Sequence, residues 1–187
     1  TSVTICQDGT GSLIATSTCT VSITSESRKG KGSISGSGTT WSNPSNIESN
    51  GSGYAIASNN STSTTRYLVA NNFGFSIPAN ATIKGVSVTI GRFANSSIGN
   101  YVTDNVVSLI KTGTTPTGDN KKTNTAWSTD NTASSNYGGE TDLWGTTLTP
   151  TNVNAVSFGV ALSATLTRNL GIGNATASVA YIQVTIS

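Results

Sequence analysis

Val156-Ser-Phe-Gly-Val-Ala-Leu-Ser-Ala-Thr-Leu166 is the stretch whose reading decides the fold. Val156, Phe158, Val160, Leu162, Ala164 and Leu166 fall on one face, with Ser157, Gly159, Ala161, Ser163 and Thr165 on the other. Successive side chains of a strand point to opposite faces, so this period of two predicts a half-buried antiparallel strand of about eleven residues. The same period recurs on either side of it. Downstream, Ile182, Val184 and Ile186 alternate at the end of a strand over 177–186. Upstream, Phe73, Phe75 and Ile77 alternate and stop at Pro78, which has no N–H to offer a ladder. Val86, Val88 and Ile90 share a face, and Ile83 is out of their register across Gly85, where a bulge or bend is expected. The nearly continuous run Val106-Val-Ser-Leu-Ile110 suits a strand covered on both sides. The expected core is therefore Phe73, Phe75, Ile77, Val86, Val88, Ile90, Val156, Phe158, Val160 and Leu162.

Composition agrees with an all-β chain. Among 187 residues there are 32 Thr, 28 Ser and 19 Asn, while Lys and Arg number 10, Asp and Glu 8, and His and Met are absent. Such a chain is poor in the residues that fill helices, and its apolar residues lean toward Val and Ile. Without His there is no Ser/His/Asp or Cys/His triad and no imidazole base or zinc ligand. A net charge of +2, with basic groups gathered at Arg28, Lys29 and Lys31 and at Lys121 and Lys122, is too little to track a phosphate backbone, so nucleic acid is excluded as a partner. No stretch approaches the roughly 20 apolar residues that cross a bilayer as a helix. The low charge and abundance of small polar residues fit a secreted or cell-surface protein. The first residue, Thr1, is read as following signal-peptide removal. The Asn-x-Ser/Thr triplets, such as Asn80-Ala-Thr82, arise by chance in this composition and carry no weight as glycan sites.

About eight strands at hairpin-like spacing, with no helical pattern between them, predict an antiparallel β-sandwich of jelly-roll or immunoglobulin-like type over 41–187. Residues 1–40 read as an N-terminal β arm or small subdomain. Short strand candidates there precede Ser27-Arg-Lys-Gly-Lys-Gly-Ser-Ile-Ser-Gly-Ser-Gly38, a loop or an extended arm that needs a neighbour to order it. Cys6 and Cys19, the two cysteines, are expected to form a disulfide pinning this segment. A short strand near 125–128 is expected to interrupt the long polar stretch 112–139. Thr149-Pro150 can cap and open a single helical turn.

The series Trp41-Ser-Asn-Pro44, Tyr54-Ala-Ile-Ala57, Asn72-Phe-Gly-Phe-Ser-Ile-Pro78, Ala81-Thr-Ile-Lys-Gly-Val86, Asp142-Leu-Trp-Gly145 and Val156-Ser-Phe-Gly-Val160 resembles a β-sandwich domain of secreted bacterial surface proteins and phage structural proteins, over residues 41–186. The opening Thr4-Ile-Cys-Gln-Asp-Gly9 resembles the start of adhesin-type repeats in surface proteins of Bacteroidetes. Both resemblances imply an extracellular, non-enzymatic structural or adhesive role; a glycan or a host surface is expected separately as a ligand.

Candidate site residues follow from chemistry. Asp104, ahead of a buried-looking run, is read as a strand-end cap or as a partner of Arg92 across a sheet. A glycosidase would need two of Glu48, Asp104, Asp119, Asp130, Glu140 and Asp142 flanking one bond, and the sequence brings no two together. Asp119, Asp130, Glu140 and Asp142 are the oxygen donors available to calcium, though they form no contiguous calcium loop, so no cofactor is assigned. Trp127, Tyr137 and Trp144 lie in or near the polar stretch as candidate stacking faces for sugar, with core anchoring as the competing role. The scarcity of charge leaves sheet edges unprotected. The function expected is a self-assembling filament or surface-layer subunit joined by strand contacts, and the alternative is a carbohydrate-binding module.

Overall fold

The computed structural model of the protein describes residues 25–48, 53–96 and 99–187. Ten strands follow in order: β1 (Glu26–Lys29), β2 (Lys31–Ser35), β3 (Ala55–Asn59), β4 (Ser63–Thr64), β5 (Tyr67–Asn71), β6 (Val86–Ser96), β7 (Tyr101–Ile110), β8 (Ser134–Gly139), β9 (Gly159–Thr167) and β10 (Ala175–Ile186). They form two antiparallel sheets packed as a β-sandwich. In the first, β10 lies between β6 on one side and β1 and β3, end to end, on the other, with β8 outside β6. In the second, β9 lies between β7 and the pair β4 and β5, with β2 outside β5. Apart from β4 and β5, which share a sheet, the chain changes sheets at every step. This is the connectivity of a jelly roll, since an immunoglobulin domain keeps several consecutive strands paired within one sheet.

The core is the apolar face of each sheet. Val86, Val88, Ile90, Ile182, Val184 and Ile186 face Leu68, Val107, Leu109, Phe158, Val160, Leu162 and Leu166 across the interior, all buried. β9 is buried on both faces, not half-buried, because its outward residues Gly159, Ala161 and Ser163 are small and are flanked by the side chains of β5 and β7. Ala161 joins Val69 and Ile110 in a second apolar cluster on the outer side. Phe73, Phe75 and Ile77 are buried at alternate positions without a ladder, and Ile77 is instead tied by N–H and C=O to the Asn154 side chain at 2.9 and 2.8 Å. Of the expected core residues, Val156 departs: it is 70% exposed. It sits in a turn after the helix α1 (Pro150–Asn154), closed by Phe158 N–H to Ala155 O at 3.1 Å, so the extended pattern begins only past it.

Two bulges shape the interior. Asn105 is extra in β7 between Asp104 and Val106, and Ala180 is extra in β10 between Val179 and Tyr181. A bulge shifts the in-out phase by one residue. Val102 and Asp104 therefore face the core before the bulge, and Val107 and Leu109 after it. Gly85 is where the first sheet closes on its end. It exchanges hydrogen bonds with Ser187, and a Cβ there would stand 2.3 Å from the Glu140 backbone.

The described part of the expected N-terminal unit lies within the sandwich. β1 pairs with residues Gln183–Ile186, and β2 pairs with β5. The glycine-rich composition has a packing reason at Gly32, where a Cβ would fall 1.9 Å from the Pro44 carbonyl oxygen in the 3-10 turn Pro44–Glu48. The neighbour that orders residues 26–35 is thus their own sandwich. The disulfide expected between Cys6 and Cys19 is withdrawn. No disulfide joins any of the described residues, and both cysteines lie outside them. Ladder pairing to β10 and β5 holds the described N-terminal strands in place of a covalent link. Among the described residues no helix is long and apolar enough to cross a membrane.

Candidate functional site

Asp104 and Arg92 meet across the interior of the sandwich, from different sheets. Arg92 is in β6, opposite Val179 at the edge of one bulge, and Asp104 is beside the other. Both are buried, at 5% and 3% exposure, with Arg92 Nη2 3.5 Å from Asp104 Oδ1. A buried carboxylate is tolerated when every lone pair is met. Here Oδ1 accepts from Trp127 Nε1 at 2.9 Å, and Oδ2 accepts from Thr123 N, Thr123 Oγ1 and Tyr137 OH at 2.9, 3.0 and 3.0 Å. Arg92 Nε donates to the Tyr137 oxygen at 2.9 Å, and its guanidinium carbon lies 4.6 Å from the centre of the Trp127 ring. Burial, reinforced by the negative charge of Asp104, pushes the Tyr137 phenol far above its ordinary range.

The polar stretch after β7 delivers Thr123 and Trp127 to this cluster without forming a strand. It runs beside β7 through single hydrogen bonds, Thr117 N to Leu109 O, Lys121 N to Val107 O and Trp127 N to Val102 O. Asn120 fills the bulge: its Oδ1 accepts from Val107 N at 2.9 Å and its Nδ2 donates to Asn105 O at 3.0 Å. The strand expected at 125–128 is thus an edge held at points. A cavity of about 360 Å³ opens between this segment and the start of β8, bounded by Arg92, Thr123, Thr125, Ser128, Ser135 and Asn136 among others.

The three candidate stacking aromatics offer no face to solvent. Trp127 and Tyr137 are each 4% exposed with their polar atoms turned to Asp104. Trp144 is fully buried elsewhere, donating Nε1–H to Val86 O at 2.8 Å. The acidic residues also separate. Lys121 stands between Asp119 and Asp142, at 3.2 and 2.9 Å, and its hydrogen bond holds the Asp142 carboxyl below the usual range. Asp130 accepts from the Thr132 backbone and hydroxyl, and Glu140 is exposed. Among the described residues no three metal-binding side chains converge. The sequence offered Arg92 to Asp104 as one of two roles and within a single sheet; the two meet instead between sheets, and the sequence missed Thr123 and Asn120. Their contacts arise from where the irregular segment lies, and no local pattern marks them. No protein-family model, curated protein or solved structure matches this chain.

Proposed function

We propose that the protein is an extracellular structural or adhesive subunit, without a catalytic role, that joins further copies of itself strand to strand in a filament or surface layer. The observation that carries this reading is the edge at β8. Among the described residues no strand pairs with the far side of β8, and its sequence Ser134-Ser-Asn-Tyr-Gly-Gly139 holds neither charge nor proline, the usual protections of a free edge. The remaining edges are better defended. β1 carries Glu26, Arg28 and Lys29, and β2 opens on Lys31. Ser42 bridges to Ile56 beside β3, and the segment after β7 covers that strand. The low-charge composition and the resemblance to surface and phage sandwich domains support the same reading. Since residues 26–35 are taken up within their own sandwich, the contact between copies is assigned to β8 and not to that part of the arm.

The test compares the full chain with a Ser134→Lys/Asn136→Lys double variant, both at exposed positions on β8. Light scattering and electron microscopy should find particles for the former and monomers for the latter, with unchanged circular dichroism. A full chain that stays monomeric at high concentration, or a variant that assembles equally well, refutes the reading.

A further inference from the structure

We propose that the cavity beside Arg92 is a binding site for a hydroxylated monocarboxylate of the sugar-acid class. At about 360 Å³ it falls within the size of small-ligand pockets. Its inner wall is a cation that is buried yet open on one edge. The terminal nitrogens of Arg92 make no hydrogen bond among the described residues, Nη2 coming no nearer than 3.5 Å to Asp104 Oδ1. Among those residues, too, no buried side-chain nitrogen or oxygen lacks a partner. The outer edge of the guanidinium is therefore the part that meets the cavity. Its plane is fixed by the bond from Nε to Tyr137 and by the Trp127 ring at 4.6 Å. A fixed guanidinium with its terminal N–H groups free is a fork for the two oxygens of a carboxylate.

The rest of the lining selects the class. Asp104 already balances the charge of Arg92, and the cavity has no other lysine or arginine in its wall. A phosphate dianion would lose its hydration there without compensation, whereas a single carboxylate exchanges water for the fork. The hydroxyls of Thr125, Ser128 and Ser135 and the amide of Asn136 both donate and accept, as ring hydroxyls require, while the Thr123 hydroxyl is already given to Asp104. No aromatic ring lines the cavity, so a neutral sugar finds no stacking face and the carboxylate must be the anchor. The site is separable from assembly through its anchor and outer wall, because Arg92 lies on β6 and Thr123, Thr125 and Ser128 precede β8, whereas Ser134, Ser135 and Asn136 belong to β8 itself.

The test titrates the full chain with D-glucuronate, D-galacturonate, D-glucose, acetate and inorganic phosphate, read by calorimetry and by tryptophan emission, since Trp127 stacks on Arg92. One of the uronates should bind saturably, on the order of tenfold tighter than acetate, the margin that hydrogen bonds to ring hydroxyls supply. Glucose and phosphate should show no saturable binding. An oligogalacturonide that competes assigns the site to polymer residues, and binding of the free acids alone assigns it to free or terminal ones. Arg92→Lys, which keeps the charge and loses the fork, should abolish binding. Should that variant fail to fold, Thr125→Trp decides, because Thr125 is an exposed rim residue and the larger ring fills the mouth. The proposal is overturned by equal responses to glucose and uronate, by phosphate binding more tightly, by no saturable binding of either uronate, or by a Thr125→Trp variant with unchanged affinity.

Discussion

Five groups meet the Asp104 carboxyl oxygens between the two sheets, and that arrangement makes the cluster sensitive to the loss of any one. Asp104→Leu leaves Arg92 buried without a counter-charge and should cost about 3–5 kcal/mol in denaturant unfolding. Adding Arg92→Met should recover part of that loss, with a coupling of at least about 1 kcal/mol between the two sites. Tyr137 supplies a pH signature. Its folded-state value is raised from 10.0, so above pH 10 the unfolded chain releases this proton while the folded one keeps it. The unfolded state then binds fewer protons, and stability falls as pH rises. Tyr137→Phe should flatten that alkaline slope in pH-dependent unfolding, beneath a uniform loss of about 1–3 kcal/mol from the unanswered Arg92 and Asp104 atoms. Arg92 was legible as one candidate partner of Asp104, because a charge ahead of a buried run demands an answer, but that the two would meet between sheets was not. The part played by Trp127 and Tyr137 was not, since an aromatic in a polar stretch reads alike whether its N–H or O–H meets water or a buried carboxylate.

At the level of elements, alternation proved the reliable signal and its ends the unreliable ones. The inward residues Phe158, Val160, Leu162, Ala164 and Leu166 were placed correctly by period alone, while Ala161 and Ser163 on the other face are buried too and Val156 belongs to the turn that follows α1. Phe158→Ala should therefore cost about 3–5 kcal/mol, and Val156→Ala should stay within about 0.5 kcal/mol, both read by denaturant midpoints. β2 was invisible to the same method, because Lys31-Gly-Ser-Ile-Ser35 has one apolar side chain to alternate. Its place comes from backbone contact, with Gly32 against Pro44 and the Gly32 N–H donated to Glu48 at 3.1 Å. Gly32→Ala should force that contact apart at a cost of about 1–3 kcal/mol. A smaller effect would show that β2 is loosely held.

For the whole molecule, the sandwich class was readable and the strand order was not. Pairing in this fold joins residues far apart, as in Glu26 with Ile186, and a local pattern says nothing about such partners. The chain shortened to start at residue 25 retains every described ladder, whereas one starting at residue 41 lacks β1 and β2 and bares the edges of β10 and β5. Thermal melting should show a far larger loss for the second deletion than for the first, with aggregation accompanying it. The position of β9 and β10 also bears on timing. These strands occupy the middle of the two sheets, yet they follow all their described partners in the chain. A ribosome that has delivered the chain as far as Phe158 has supplied the partners for β2 with β5 and for β6 with β8, and has given β7 no strand to pair with. The second sheet cannot close before β9 nor the first before β10, so folding is dominated by distant contacts and slow for that reason. For the extracellular role proposed above such a delay would be useful, since a chain whose central strands come after their partners stays a thread while it passes through a pore and sets once β9 and β10 arrive.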